Sequence, residues 1–194
     1  MNNFISENNQ INFLQQNLHK SKEVTIEIKQ WFDSLQGKPA LAMVQEPNNH
    51  KGKISNLGNN LRVIGSDEGT NLRAAIITRG NFVCWKLNQF CTTDQAVIAF
   101  KIKDKITVVA SVYMPYDSTD PPPPHITMQL ISFCENQKWE LIIGADANSH
   151  HIAWGSTDNN ARGENLLDFI MTTNLQISNI GNTLTFTNAI REEV

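Results

Sequence analysis

"LIIGADANSHHIAWGS" occupies Leu141–Ser156, and its first eight residues set the architecture that the rest of the chain must match. Leu141, Ile142 and Ile143 form a short apolar run, and Gly144 follows. A run of this length bounded by turn formers reads as a buried strand rather than a helix. It ends in Asp146 and Asn148, two residues apart, and then in the adjacent pair His150 and His151. A strand is a stiff support, so polar groups at its end are held at a fixed geometry.

Working outward, other apolar runs end the same way. "INFLQQN" reads as a strand closed by Asn17, and "PALAMVQEP" as a second strand closed by Glu46 and Pro47. "ITVVASVYM" ends in Tyr113, with Pro115 just beyond. Between the first two lies "KSKEVTIEIKQWFDSLQG", in which Val24, Ile28, Trp31, Phe32 and Leu35 fall at helical spacing. Gly37 and Pro39 stop that pattern.

The middle of the chain carries "LRVIG", "RAAIIT", "NFVCWKL", "QAVIAFKI" and "ITVVASVYM" in close succession. Their short polar separators predict antiparallel sheets rather than a βαβ repeat. "PYDSTDPPPP" is a loop stiffened by prolines. "HITMQLISFCENQ" predicts a helix with Ile126, Leu130, Phe133 and Cys134 on one face. "RGENLLDFIMTTNL" predicts a third, with Leu166, Leu167, Ile170 and Met171 aligned, and "LQISN" and "LTFTNA" read as closing strands. The expected class is α+β: two mostly antiparallel sheets packed face to face, helices outside, in one domain spanning residues 1–194.

Bulk properties limit the function. The 194 residues are 40% hydrophobic and 18% charged, an ordinary composition for a folded domain. The net charge of −3 offers no global basic field for nucleic acid, so DNA binding requires local contacts or a metal. Cys84, Cys91 and Cys134 show no paired spacing, which argues against a disulfide framework. With no C-x-x-C or H-x-x-x-H pattern, a zinc site built on His150 and His151 is disfavoured. No basic, apolar leader opens the chain, and no apolar run reaches membrane-spanning length.

The residue types at the strand ends suggest one chemistry. Glu46 is a hard oxygen ligand suited to Mg²⁺, which takes few protein carboxylates and keeps its waters. Asp146 can accept a proton from an attacking water. Asn148 can donate to developing negative charge, and Tyr113 and His150 can donate to phosphate oxygens. Together they describe metal-assisted hydrolysis of a phosphate ester. Taken singly, each has a plainer reading: Glu46 as a solvated strand end, Asp146 and Asn148 as a turn pair, the histidines as loop residues, Tyr113 as core.

"LQQN", "QEP", "SVYMP" and "GADANSHHIAWGS" occur in this order, followed by "NARGENLLDFIMTTNLQISNIGNTLTF". In that order they resemble the endonuclease/exonuclease/phosphatase superfamily, and within it the apurinic-type endonuclease domain of arthropod non-LTR retrotransposons. The resemblance runs from about Ile11 onward. It implies a four-layer, DNase I-like sandwich of two sheets flanked by helices. It also implies a nuclear, Mg²⁺-dependent (or Mn²⁺-dependent) enzyme that nicks DNA and exposes a 3′-hydroxyl for reverse transcription. Its partners would be DNA and a reverse transcriptase domain on the same polyprotein, with no membrane.

By the same resemblance, Glu46 binds the metal and Asn17 organises that site. Tyr113 contacts the scissile phosphate, Asp146 aligns or deprotonates the water, and Asn148 holds the phosphate, with His150 beside it as a substrate contact. The family pattern continues past the equivalent of "NTLTFTNAIREEV" into a further strand and a Ser-Asp-His motif, and no His follows His151 here. The expectation is therefore a C-terminally truncated chain that lacks its last strands and is weak or inactive. A phosphatase or phosphodiesterase of the same superfamily and a non-catalytic retroelement remnant are the alternatives.

Overall fold

A computed structural model describes residues 10–66, 70–179, 186–187 and 192–193. In chain order the elements are β1 (Asn12–Asn17), α1 (Lys22–Ser34), β2 (Ala40–Gln45), β3 (Asn49–His50), β4 (Lys53–Ile54), β5 (Leu61–Ile64), β6 (Ala74–Arg79), β7 (Trp85–Lys86), β8 (Gln95–Ile102) and β9 (Lys105–Tyr113). Then come α2 (His125–Gln137), β10 (Glu140–Asp146), α3 (Ala161–Met171), β11 (Phe186–Thr187) and β12 (Glu192–Glu193). They form two compact units, one of Met1–Tyr113 with His125–Asp146, the other of Met114–Pro124 with Ala147–Val194.

The first unit contains both main sheets, in strand orders β1-β2-β6-β5 and β10-β9-β8-β7. Each has one parallel pair, β1 with β2 and β9 with β10, and is otherwise antiparallel. The parallel pairs are the ones joined through a helix, because a parallel return requires a crossover. α1 starts at Ser21, whose Oγ accepts the Val24 N–H at 3.2 Å, and buries Thr25, Ile28 and Phe32. That face packs on Ala40, Ala42, Val44, Ala75 and Ile77 of the first sheet. The opposite face of the same sheet, Leu41, Met43 and Ile76, meets Ile98, Phe100 and Val109 of the second. β2 is thus covered on both sides, which explains why "ALAMVQ" is continuously buried rather than alternating.

α2 covers the second sheet, giving the expected four layers: helix, sheet, sheet, helix. Its buried line is Thr127, Leu130, Ile131 and Cys134, one step round from the predicted face. Thr127 displaces Ile126 because its hydroxyl has a partner, donating to Gln95 Oε1 at 2.6 Å. Phe133 is half-buried at the margin, where its ring packs beside Phe90 and Trp139.

In the second unit, α3 is capped by Asn160, whose Oδ1 accepts the Gly163 N–H at 2.8 Å. Its buried residues are Gly163 and Leu166, with Leu167 and Ile170 half-buried. Met171, expected on that face, is 77% exposed in the final turn. "LQISN" is irregular rather than a strand. Of "LTFTNA", only Phe186 and Thr187 are described, paired with β12, and the rest lies outside the described residues. Among the described residues no helix is long and apolar enough to cross a membrane.

Candidate active site

Strand direction gathers the polar ends of the first unit. β1 and β2 run parallel in a register that sets Asn17 beside Gln45, immediately before Glu46. β9 and β10 run parallel with Tyr113 beside Asp146. The side chain of Asn17 joins the two sheets. Its Oδ1 accepts the His19 N–H at 2.8 Å, which fixes the amide orientation and leaves Nδ2 as the donor. Nδ2 then bonds Asp146 Oδ2 at 2.5 Å and Glu46 Oε2 at 3.3 Å.

Glu46 sits in the left-handed backbone region at φ 46°, unusual for a residue with a Cβ. Its N–H donates to the Arg73 carbonyl at 2.8 Å, and its carbonyl accepts the Lys20 N–H at 2.7 Å. Such a conformation persists where surrounding bonds over-determine it. The carboxylate, 20% exposed, has Lys20 Nζ at 3.8 Å and His19 Nδ1 at 4.0 Å.

The two carboxylates share one amide donor, and the Lys20 ammonium stands beside Glu46. Among the described residues no group of three or more His, Cys, Asp or Glu could hold a metal. Mg²⁺ takes only one or two protein carboxylates, the number that the Asn17 amide brings together.

The rim rests on a buried polar bridge between the sheets. Gln45 is fully buried. Its Nε2 donates to Ser111 Oγ at 2.9 Å and to the Gly144 carbonyl at 3.1 Å, and its Oε1 accepts from Gln15 at 2.7 Å. Ser111 Oγ in turn donates to the Val44 carbonyl at 3.0 Å. Gly144 makes the approach feasible: a Cβ there would lie 2.7 Å from Met43 Sδ and 2.9 Å from Gln15 Cγ. The glycine in the opening stretch is thus a close-packing requirement two residues before Asp146.

Asn148 and His150 lie in the second unit. Asn148 also has a left-handed backbone (φ 46°), and its Nδ2 donates to the Met114 carbonyl at 3.2 Å. Arg162 Nε donates to the Asn148 carbonyl at 3.0 Å and fastens this turn to α3. His150 Nδ1 is 2.8 Å from Asp158 Oδ1. His151 is buried. Its Nδ1 accepts the Ala153 N–H at 3.0 Å, which leaves Nε2 to face Glu164 at 3.5 Å. The paired histidines therefore brace the loop before α3. Gly163 lets that loop close, since a Cβ there would fall 1.9 Å from the His150 carbonyl oxygen.

Sequence reading missed Gln45, Ser111, Arg73 and Asp94. The usable signal for Arg73 and Asp94 was strand direction: each immediately precedes a strand antiparallel to one that ends at the rim.

Comparison with known proteins gives a family match and structural matches. Residues 107–194 match the model of the endonuclease-reverse transcriptase family, a span that includes Tyr113, Asp146, Asn148 and His150. The structure is similar to the endonuclease domain of TRAS1, a telomere-specific non-LTR retrotransposon, with a TM-score of 0.76 and 25% identity over 93% of this chain and 80% of that one. No curated protein matches. The four-layer architecture is the DNase I-like endonuclease fold.

Proposed function

We propose that this chain, related in fold and sequence to the endonuclease domains of non-LTR retrotransposons, is a DNA endonuclease that hydrolyses a phosphodiester to leave a 3′-hydroxyl. The observation that carries this reading is the single amide of Asn17 bonded to both Glu46 and Asp146. It couples a metal-type carboxylate to a base-type carboxylate at one rim.

Glu46, with Asn17 beside it, would hold a divalent cation, which would supply positive charge next to the phosphate. Asp146, oriented by the Asn17 amide, accepts the proton of the attacking water. Tyr113, in register with Asp146, donates its hydroxyl to a phosphate oxygen. The roles of Asn148 and His150 in holding substrate follow from the resemblance. On this reading the chain works on nuclear DNA as part of a polyprotein that includes a reverse transcriptase.

The test is incubation of supercoiled plasmid with excess chain and Mg²⁺, with and without chelator. Metal-dependent nicks that a DNA polymerase extends without end repair support the proposal. A folded chain that leaves plasmid intact but hydrolyses small phosphate esters would favour the phosphatase alternative and overturn it.

A further inference from the structure

Arg73 and Asp94 stand at the starts of β6 and β8. The antiparallel partners of those strands, β2 and β9, finish at the rim, so the starts come to the same place. Four backbone bonds join these segments. Arg73 N–H donates to the Thr93 carbonyl at 2.7 Å, and Ala74 N–H to the same oxygen at 3.0 Å. Tyr113 N–H donates to the Asp94 carbonyl at 2.8 Å, and Glu46 N–H to the Arg73 carbonyl at 2.8 Å. The guanidinium of Arg73 meets Asp94 through two parallel bonds, Nε to Oδ1 at 2.5 Å and Nη2 to Oδ2 at 2.6 Å. Its Cζ lies over the Tyr113 ring, 5.5 Å from the centroid.

We infer that Arg73, clamped by Asp94, is a positioning residue that fixes the Tyr113 ring and so aims the phenol hydroxyl at the phosphate. The inference rests on the nuclease reading above. The side chains of Arg73 and Asp94 are 46% and 25% exposed, so the ion pair alone stabilises the fold little. What it supplies is geometry. A two-bond fork holds the guanidinium, and its Cζ stands over one ring face in a cation–π contact. The hydroxyl oxygen lies on the ring axis, so χ1 sets its position, and a cation over one ring face restricts that swing. The Arg73 carbonyl simultaneously holds the Glu46 N–H, so one residue indexes the phenol and the metal-side carboxylate to each other. A lysine can keep the charge but has neither the fork nor the plane.

The experiment is a double-mutant cycle in single-turnover plasmid nicking with Arg73→Ala, Arg73→Lys, Tyr113→Phe and the double variants. Thermal melts establish that each variant folds. In parallel, ¹⁹F NMR of fluorotyrosine-labelled chain reads the ring. The chain has two tyrosines, and Tyr116→Phe assigns the signals. Both Arg73 variants are expected to slow nicking by roughly 10- to 100-fold, the scale of a misplaced reacting group. Neither is expected to slow it further in the Tyr113→Phe background, and both should shift the Tyr113 resonance. Equal losses with and without the Tyr113 hydroxyl would show that Arg73 acts on the phosphate directly, and wild-type nicking by Arg73→Lys would show that charge suffices. Either result overturns the inference. If the wild-type chain does not nick, the nuclease reading fails, and an unshifted Tyr113 resonance in Arg73→Lys then overturns the positioning role independently.

Discussion

Asn17 Nδ2 lies 2.5 Å from Asp146 Oδ2, a bond between residues 129 positions apart in the chain. The same nitrogen reaches Glu46, so the amide is the hub of the rim. Asn17→Ala removes the shared donor and leaves the two carboxylates facing each other. Nicking and Mn²⁺ affinity should each fall by roughly 10- to 100-fold, the usual effect of losing a group that orients metal-site ligands. Single-turnover assays and Mn²⁺ titration monitored by electron paramagnetic resonance measure the two. An unchanged Mn²⁺ affinity would contradict the proposed role of Asn17 beside a cation.

Gln45 is the brace one residue inside Glu46. Gln45→Leu leaves the Ser111 hydroxyl and the Gly144 carbonyl short of a partner, at a cost of about 1–3 kcal/mol for each. Urea denaturation should therefore show a loss of about 2–5 kcal/mol. Gln45→Glu adds a pH dependence. Burial would raise the folded pKa of the new carboxyl above its unfolded value, so the folded state holds the proton more tightly. The deficit should be large at pH 7 and shrink as the pH falls through that raised pKa. A Gln45→Glu deficit that grows on acidification would contradict the buried environment.

Cys134 faces the second sheet from α2, and burial, assisted by the nearby Glu135 charge, pushes its thiol up to about 11. A thiol of that pKa is almost wholly protonated at pH 8 and unreactive toward disulfide reagents. Native chain should leave Cys134 unmodified under conditions that label all three cysteines after unfolding. The sign for stability follows. Between the ordinary thiol pKa of 9.0 and about 11, the unfolded chain releases this proton first, so stability declines as the pH rises through that window. Rapid native labelling of Cys134 at pH 8 would contradict the packing of α2.

The sheets were legible in the sequence because burial on two faces leaves a plain mark. "ALAMV" is apolar throughout since β2 has a helix on one side and a sheet on the other. The strand ends Asn17, Glu46, Tyr113 and Asp146 were legible because a polar residue closing an apolar run stands out. The helix faces were less so. Thr127 reads as polar but is buried with its hydroxyl bonded, while Met171 reads as core yet faces solvent at a helix end. Arg73 and Asp94 were hidden because they open strands instead of closing them, and only antiparallel pairing brings them to the rim. Gln45 was hidden for a different reason. A polar residue in a core strand makes sense only once the partners across the sheets, Gln15, Ser111 and Gly144, are in place.

On the proposed reading, Glu46 and Asp146 act together at this rim to cut DNA. The most direct test of that reading is single-turnover nicking of supercoiled plasmid in Mg²⁺ by wild-type, Glu46→Gln and Asp146→Asn chains of matched thermal stability. Neither substitution changes side-chain size appreciably, so the comparison isolates charge. The account predicts nicking by the wild-type chain that falls by at least roughly 100-fold in both variants, as expected for loss of a metal ligand or a general base. Nicking by either variant at the wild-type rate would contradict it.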